Sequence, residues 1–194
     1  MMASKDLAFF QNLEKEGTIF AKVTKSRKLD GNGAYFDYSQ YIGKTLDASV
    51  HPGFVETTIE DLNTAIGYFH YGDQLTIVSF LKLDPEKQSH FSGGENFKKN
   101  CYDVNMVYVE DVKSINDPQT VDYIFLNADK RRILDVTTLM IGHIRRWECN
   151  EGADYWQKRY DEITGTTPAE PPKAEQEEEK KASLLSRISN FLKS

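Results

Sequence analysis

The sequence predicts an α+β domain, a mostly antiparallel curled sheet or partly open barrel of about five strands packed against two or three helices. Three observations predict it. Thr18–Lys25, Gln74–Leu83 and Tyr102–Val112 are short runs rich in β-branched and aromatic residues, the composition of strands. Between and after them lie segments with apolar residues at helical spacing. The bulk composition agrees: 194 residues, 39% hydrophobic and 12% aromatic, with ten Tyr and eleven Phe against two Trp, as a half-buried sheet requires.

Residues 4–16 read as a short helix. Ser4 is placed to cap it, Leu7, Phe10 and Leu13 form its stripe, and Gly17 stops it. Thr18–Lys25 follows as a strand. Asp30-Gly31-Asn32-Gly33 is the strongest turn signal and predicts a β-hairpin with Ala34–Tyr41. Residues 42–57 contain the His51-Pro52-Gly53 turn with short strands on either side. Thr58–His70 reads as a helix, with Thr58 and Asp61 as a capping pair and Ile59, Leu62, Ile66 and Phe69 buried. Gln74–Leu83 is apolar on both faces, which predicts a central strand.

Asp84–Asn100 is a long polar loop containing Gly93-Gly94, and loops of that length are often functional. Tyr102–Val112 and Val121–Leu126 read as strands joined through the Asn116-Asp117-Pro118 turn. Residues 133–147 fit a helical stripe (Ile133, Val136, Met140, Ile144, Trp147), although Val136, Thr137, Thr138 and Ile141 would also suit a strand; the helix is the favoured reading. Ala153–Ile163 completes the domain as a helix with Trp156, Tyr160 and Ile163 on one face.

The globular part therefore spans residues 1–164. Residues 165–182 are rich in Pro, Glu and Lys with no large apolar side chain, which predicts a disordered linker. Residues 183–194 change character. Leu184, Leu185, Ile188, Phe191 and Leu192 recur at i, i+1, i+4, i+7 and i+8, which places them on one stripe of an amphipathic helix. So short a segment is only marginally helical alone. On a linker with a reach of roughly 25 Å, it has the form of a docking helix that lies in a partner's apolar groove. The leading expectation is a non-enzymatic interaction or accessory protein, recruited by those five residues to a partner protein or larger assembly such as a phage or other particle. A membrane surface is a weaker candidate partner, because Lys180, Lys181, Arg187 and Lys193 are offset by the Glu177–Glu179 run.

The net charge is −6, and basic and acidic residues cancel over 165–194, so the excess negative charge sits on the globular part. That opposes non-specific nucleic-acid binding. The basic clusters Lys98-Lys99, Lys130-Arg131-Arg132 and Arg145-Arg146 lie among acidic residues and read as solvated surface, leaving a nucleic-acid-binding module as a minor alternative. Cys101 and Cys149 have no zinc-ligand spacing, and His51, His70, His90 and His143 form no pair in sequence, so no metal or cofactor is expected. There is no signal-peptide core and no membrane-spanning run, so the expected location is cytoplasmic, the host cytoplasm if the chain is viral. No catalytic motif is present. The other alternative is a small-ligand protein or enzyme with its site near the 84–100 loop, where His90 and Gly93-Gly94 are the candidate lining.

Overall fold

A computed structural model describes residues 4–26, 36–51, 53–54, 57–96, 98 and 100–166. Residues 1–160 and 161–194 form separate units, and the sheet and both apolar cores belong to the first. The chain is α+β. Its elements run β1 (Ser4–Lys5), α1 (Leu7–Lys15), β2 (Phe20–Thr24), β3 (Lys44–Asp47), β4 (Thr57–Asp61), α2 (Leu62–Ala65), β5 (Gln74–Ser79), β6 (Gly93–Glu95), β7 (Cys101–Val104), β8 (Met106–Ser114), α3 (Pro118–Asn127), α4 (Lys130–Arg146) and α5 (Asn150–Thr164).

The sheet is open and antiparallel, with eight strands in the order β1-β6-β7-β4-β2-β5-β8-β3. That corrects the expected five strands, and among the described residues five α-helices replace the expected two or three helices. The strands that were not expected are β1 and β6, too brief to show a period-two pattern, and β4, which was read as helix.

Each face of the sheet carries its own core. On one, Ala21, Val23, Leu75 and Ile77 pack under α2–α5, with Ile133, Met140, Ile144 and Trp156 at the centre. On the other, Phe10 of α1 meets Phe20, Phe80, Phe91 and Tyr102, with ring centroids 4.7–5.9 Å apart, a spacing at which aromatic edges and faces attract. The buried indoles are hydrogen-bonded: Trp156 Nε1 donates to Thr137 Oγ1 (3.1 Å) and Trp147 Nε1 to the Phe69 carbonyl (2.9 Å). Glu14 of α1 accepts from Ser79 Oγ and from the Phe80 and Leu81 amides, which ends β5.

Several expectations change. Helix α1 is capped by Asp6, which accepts from Phe9 N, and Ser4 lies in β1. The described part of the expected partner of β2 is not a strand: Tyr38–Tyr41 is a 3-10 turn capped by Asp37, and β2 pairs with β4 and β5; the expected turn at Asp30–Gly33 lies outside the described residues. The expected helix 58–70 begins as β4, because Asp61, not Thr58, is the cap, accepting from Thr64 N at 2.7 Å. Gln74–Leu83 does lie inside the sheet, but the strand ends at Ser79. Tyr102–Val112 breaks at Asn105, whose side chain accepts from Ser92 N and donates to the His90 carbonyl. Val121–Leu126 is helix α3, started by the Asp117 cap with Pro118 in the first turn. Residues 133–147 follow the favoured helical reading as α4. The linker 165–182, beyond Thr166, and the docking segment 183–194 with Leu184, Leu185, Ile188, Phe191 and Leu192 lie outside the described residues.

Two glycines on the C-terminal helices test this packing. A Cβ on Gly152 would stand 1.9 Å from the Ile115 carbonyl oxygen, whereas one on Gly142, mid-helix in α4, meets nothing within 4 Å. Gly152→Ala is expected to destabilise by about 1–3 kcal/mol, and Gly142→Ala to stabilise by up to about 1 kcal/mol. Thermal melts of the two variants check both signs.

Candidate functional site

The middle of the sheet distributes its side chains unevenly. On β2, β4 and β7 the large residues Phe20, Ile59, Tyr102 and Val104 all enter the aromatic core. The opposite face carries Ala21, Thr58, Glu60, Cys101 and Asp103, because antiparallel partners share a face and the register pairs Ala21 with Glu60, Glu60 with Cys101, and Thr58 with Asp103. Small and polar side chains there leave space. The β2–β4 ladder also stops after two pairs, and Lys22 Nζ reaches past its end to donate to the Thr58 carbonyl at 2.8 Å.

The result is a pocket of about 290 Å³ lined by Lys22 and Val23 of β2, Thr58 and Glu60 of β4, Tyr68 and Tyr71 from the turn after α2, and Asn96, Lys98 and Cys101. Thr58 Oγ1 donates to Asp103 Oδ1 (2.5 Å) and Asn96 Nδ2 to Asp103 Oδ2 (2.8 Å), so both oxygens of that carboxylate are held. Tyr68 Oη and Cys101 Sγ share a hydrogen bond at 4.0 Å. Lys98 Nζ lies 5.2 Å from the centre of the Tyr68 ring.

Burial dominates the electrostatics. Glu60 is 8% exposed, and desolvation pushes its carboxyl up to about 7; the Lys22 and Lys98 ammonium groups pull it down, while Asp61 and Asp103 add to the rise. Burial likewise lowers Lys22, partly offset by Glu60 and Asp103. Burial raises the Cys101 thiol and the neighbouring Glu60 raises it further, so Cys101 is a neutral thiol and not a ready nucleophile. Tyr68 is raised by burial and then by Cys101. Glu60 is thus a carboxyl poised to exchange a proton at neutral pH in a cleft, the condition that general acid–base and proton-linked binding sites share.

The 84–100 segment contributes to this pocket, though not through the residues expected. Asn96 and Lys98 line it. Gly93 and Gly94 lie in β6, and Gly93 is there for packing, since a Cβ would come 2.8 Å from the Phe10 ring. His90 is exposed and ends a 3-10 turn. The sequence missed Lys22, Glu60 and Cys101, which are far apart in the chain and meet through strand register alone; the one local signal was a Lys within the apolar strand FAKVT.

Two histidines separate in sequence do meet. The His70 and His143 rings are 5.3 Å apart, and burial lowers His143, with His70 and Arg146 adding to the effect. Among the described residues no group of three or more His, Cys, Asp or Glu could hold a metal ion, and no helix is long and apolar enough to cross a membrane. Cys101 and Cys149 are buried, and neither is in a disulfide. In the basic clusters, Arg132 Nε donates to the Asn63 carbonyl and Arg145 pairs with Asp154 of α5.

Glu60 yields a pH prediction with a definite sign. Its folded pKa is raised, so the stability it contributes is fully present below the ordinary carboxylate pKa of 4.5 and is lost as pH rises through about 7. Glu60→Gln should therefore gain stability relative to the parent between pH 5 and pH 8, by an amount on the order of 2–3 kcal/mol. Denaturant titrations of both proteins at the two pH values measure it; an equal difference at both would show that Glu60 titrates normally. Comparison with protein-family models, with curated protein sequences and with solved structures finds no match to this chain, and what the pocket does is read from its own chemistry.

Proposed function

We propose that this chain is a small-ligand-binding protein whose site is the pocket between β2, β4, β7 and the Tyr68–Tyr71 turn. The observation that carries the reading is Glu60: a buried carboxyl, titrating near neutrality, beside the half-buried Lys22 on the wall of an opening large enough for a compact organic molecule. Four separate chain segments converge polar groups on that space. A ligand held there would meet the tyrosine rings at the rim, where Tyr71 is 54% exposed, and hydrogen-bonding groups at the base. The test is a fragment set titrated into the full chain and read by amide NMR. Hits should move the amides of Lys22, Glu60, Tyr68 and Cys101 together; shifts scattered over the surface, or none, would overturn the reading.

A second reading rests on the spacing of Leu184, Leu185, Ile188, Phe191 and Leu192. On it, residues 183–194 recruit the chain to a partner protein or assembly while the pocket serves its own ligand, an arrangement found in accessory and cargo proteins. Burying five such side chains is worth roughly 1.5–3 kcal/mol each before the cost of ordering the peptide, which leaves an affinity near micromolar, strengthened by avidity in an assembly. Phe191→Asp should then abolish recruitment of the full chain in a pull-down from its native source and leave the melting temperature unchanged. A drop of several degrees would instead assign the segment to the domain's own core.

A further inference from the structure

Resting on the pocket reading, the hydrogen-bond inventory of the wall narrows the ligand. Asp103 has both oxygens held by Thr58 and Asn96, and Asp61 is engaged as the cap of α2. Among the described lining residues this leaves Glu60 as the one carboxyl, against two ammonium groups, Lys22 and Lys98, and two phenols, Tyr68 and Tyr71. Lys22 spends one N–H on the Thr58 carbonyl and has three to give. Lys98 stands at the Tyr68 ring, at the exposed side of the opening. Donors outnumber acceptors, and the one carboxyl of the wall becomes a further donor when it takes a proton.

We infer that the pocket accepts a small organic anion, a planar or aromatic carboxylate, whose oxygens are met by Lys22 and Lys98 and whose flat body lies against Tyr68 and Tyr71, with Glu60 taking up a proton as the anion enters. An amine is disfavoured because Lys22 and Lys98 already supply the positive charge beside Glu60. The proton uptake follows from balance. A second anion beside an ionised, buried Glu60 is repelled, so the anion binds the protonated form, and one proton comes from solvent. Glu60 is faced by Lys22 from β2, Lys98 from the segment before β7, Asp61 on its own strand and Asp103 from β7. Cys101, Tyr68 and Tyr38, which also interact with its charge, are raised by burial and remain neutral at these pH values.

Three probes of one shape and three charges decide the matter: benzoate, benzamide and benzamidine, titrated into the full chain and followed by amide NMR near pH 6 and near pH 8. Benzoate should bind at least tenfold more tightly than benzamide near pH 6 and move the Glu60 and Cys101 amides. Its affinity should fall by close to tenfold for each pH unit above the Glu60 titration. Calorimetry in two buffers of different ionisation enthalpy should show uptake of up to one proton. Glu60→Gln should keep benzoate binding and lose its pH dependence. Lys98→Met, at an exposed position that leaves the fold alone, should weaken benzoate several-fold without affecting benzamide. Benzamidine binding best, or benzamide equalling benzoate, overturns the anion inference and leaves the pocket reading standing. Failure of all three probes, together with an empty fragment screen, overturns both.

Discussion

A sheet covered on both faces leaves little water for a charge at its middle, and that constraint governs the rest of this structure. β2 lies at the centre of the order, between β4 and β5, with Phe20 in one core and Ala21 and Val23 in the other. Lys22 interrupts that run. Moving an ammonium group from water into such a place is costly unless hydrogen bonds and opposite charge offset it. Here the Thr58 carbonyl, Glu60 and Asp103 do so. The polar groups of β4 and β7 are then not independent features. They are the surroundings a lysine at position 22 requires, and the register that aligns Ala21, Glu60 and Cys101 brings them to it.

The same arrangement depends on what lies behind it. Phe10, Phe20, Phe80 and Tyr102 fill the opposite face, where Phe20, Ile59, Tyr102 and Val104 of the three strands are absorbed. On the helical side, the end of α4 is fastened to the Tyr68–Tyr71 turn by the Trp147–Phe69 hydrogen bond, and α4 is tied to α2 by the Arg132–Asn63 hydrogen bond. The tyrosines at the pocket rim therefore stand on a fixed element. A site built on strands and a clamped turn holds its geometry better than one on a free loop.

The fold was legible where a pattern was long and local. The stripe Ile133, Val136, Met140, Ile144 gave α4 despite its β-branched residues; Thr137 is tolerated because its hydroxyl donates to the Ile133 carbonyl and accepts from Trp156. It was illegible where a cap decided between states. Asp61 and Asp117 each start a helix a few residues from where periodicity placed the boundary, so β4 was read as helix and α3 as strand. The candidate site was almost invisible for a further reason. Asn96 and Lys98 fell in a loop marked by its length, but Glu60 was hidden inside a misassigned helix. Its neighbours Lys22 and Cys101 come from strands whose pairing no single sequence specifies.

Stability alone does not account for Lys22 and Glu60. Placing opposite charges together inside a protein is often no better than two well-packed apolar residues of similar size, and frequently worse. A threonine and an alanine beside this pair show that small residues were available to close the sheet. The chain instead keeps opposed charges against an opening of about 290 Å³, and each of those features lowers the stability that a packed apolar cluster would provide. Unfavourable burial of charge at one place, with apolar cores on both sides of it, is the pattern expected where a protein's function resides. The charge pair also makes the pocket responsive, because the group that is costly to ionise there is the group whose protonation a bound anion would favour.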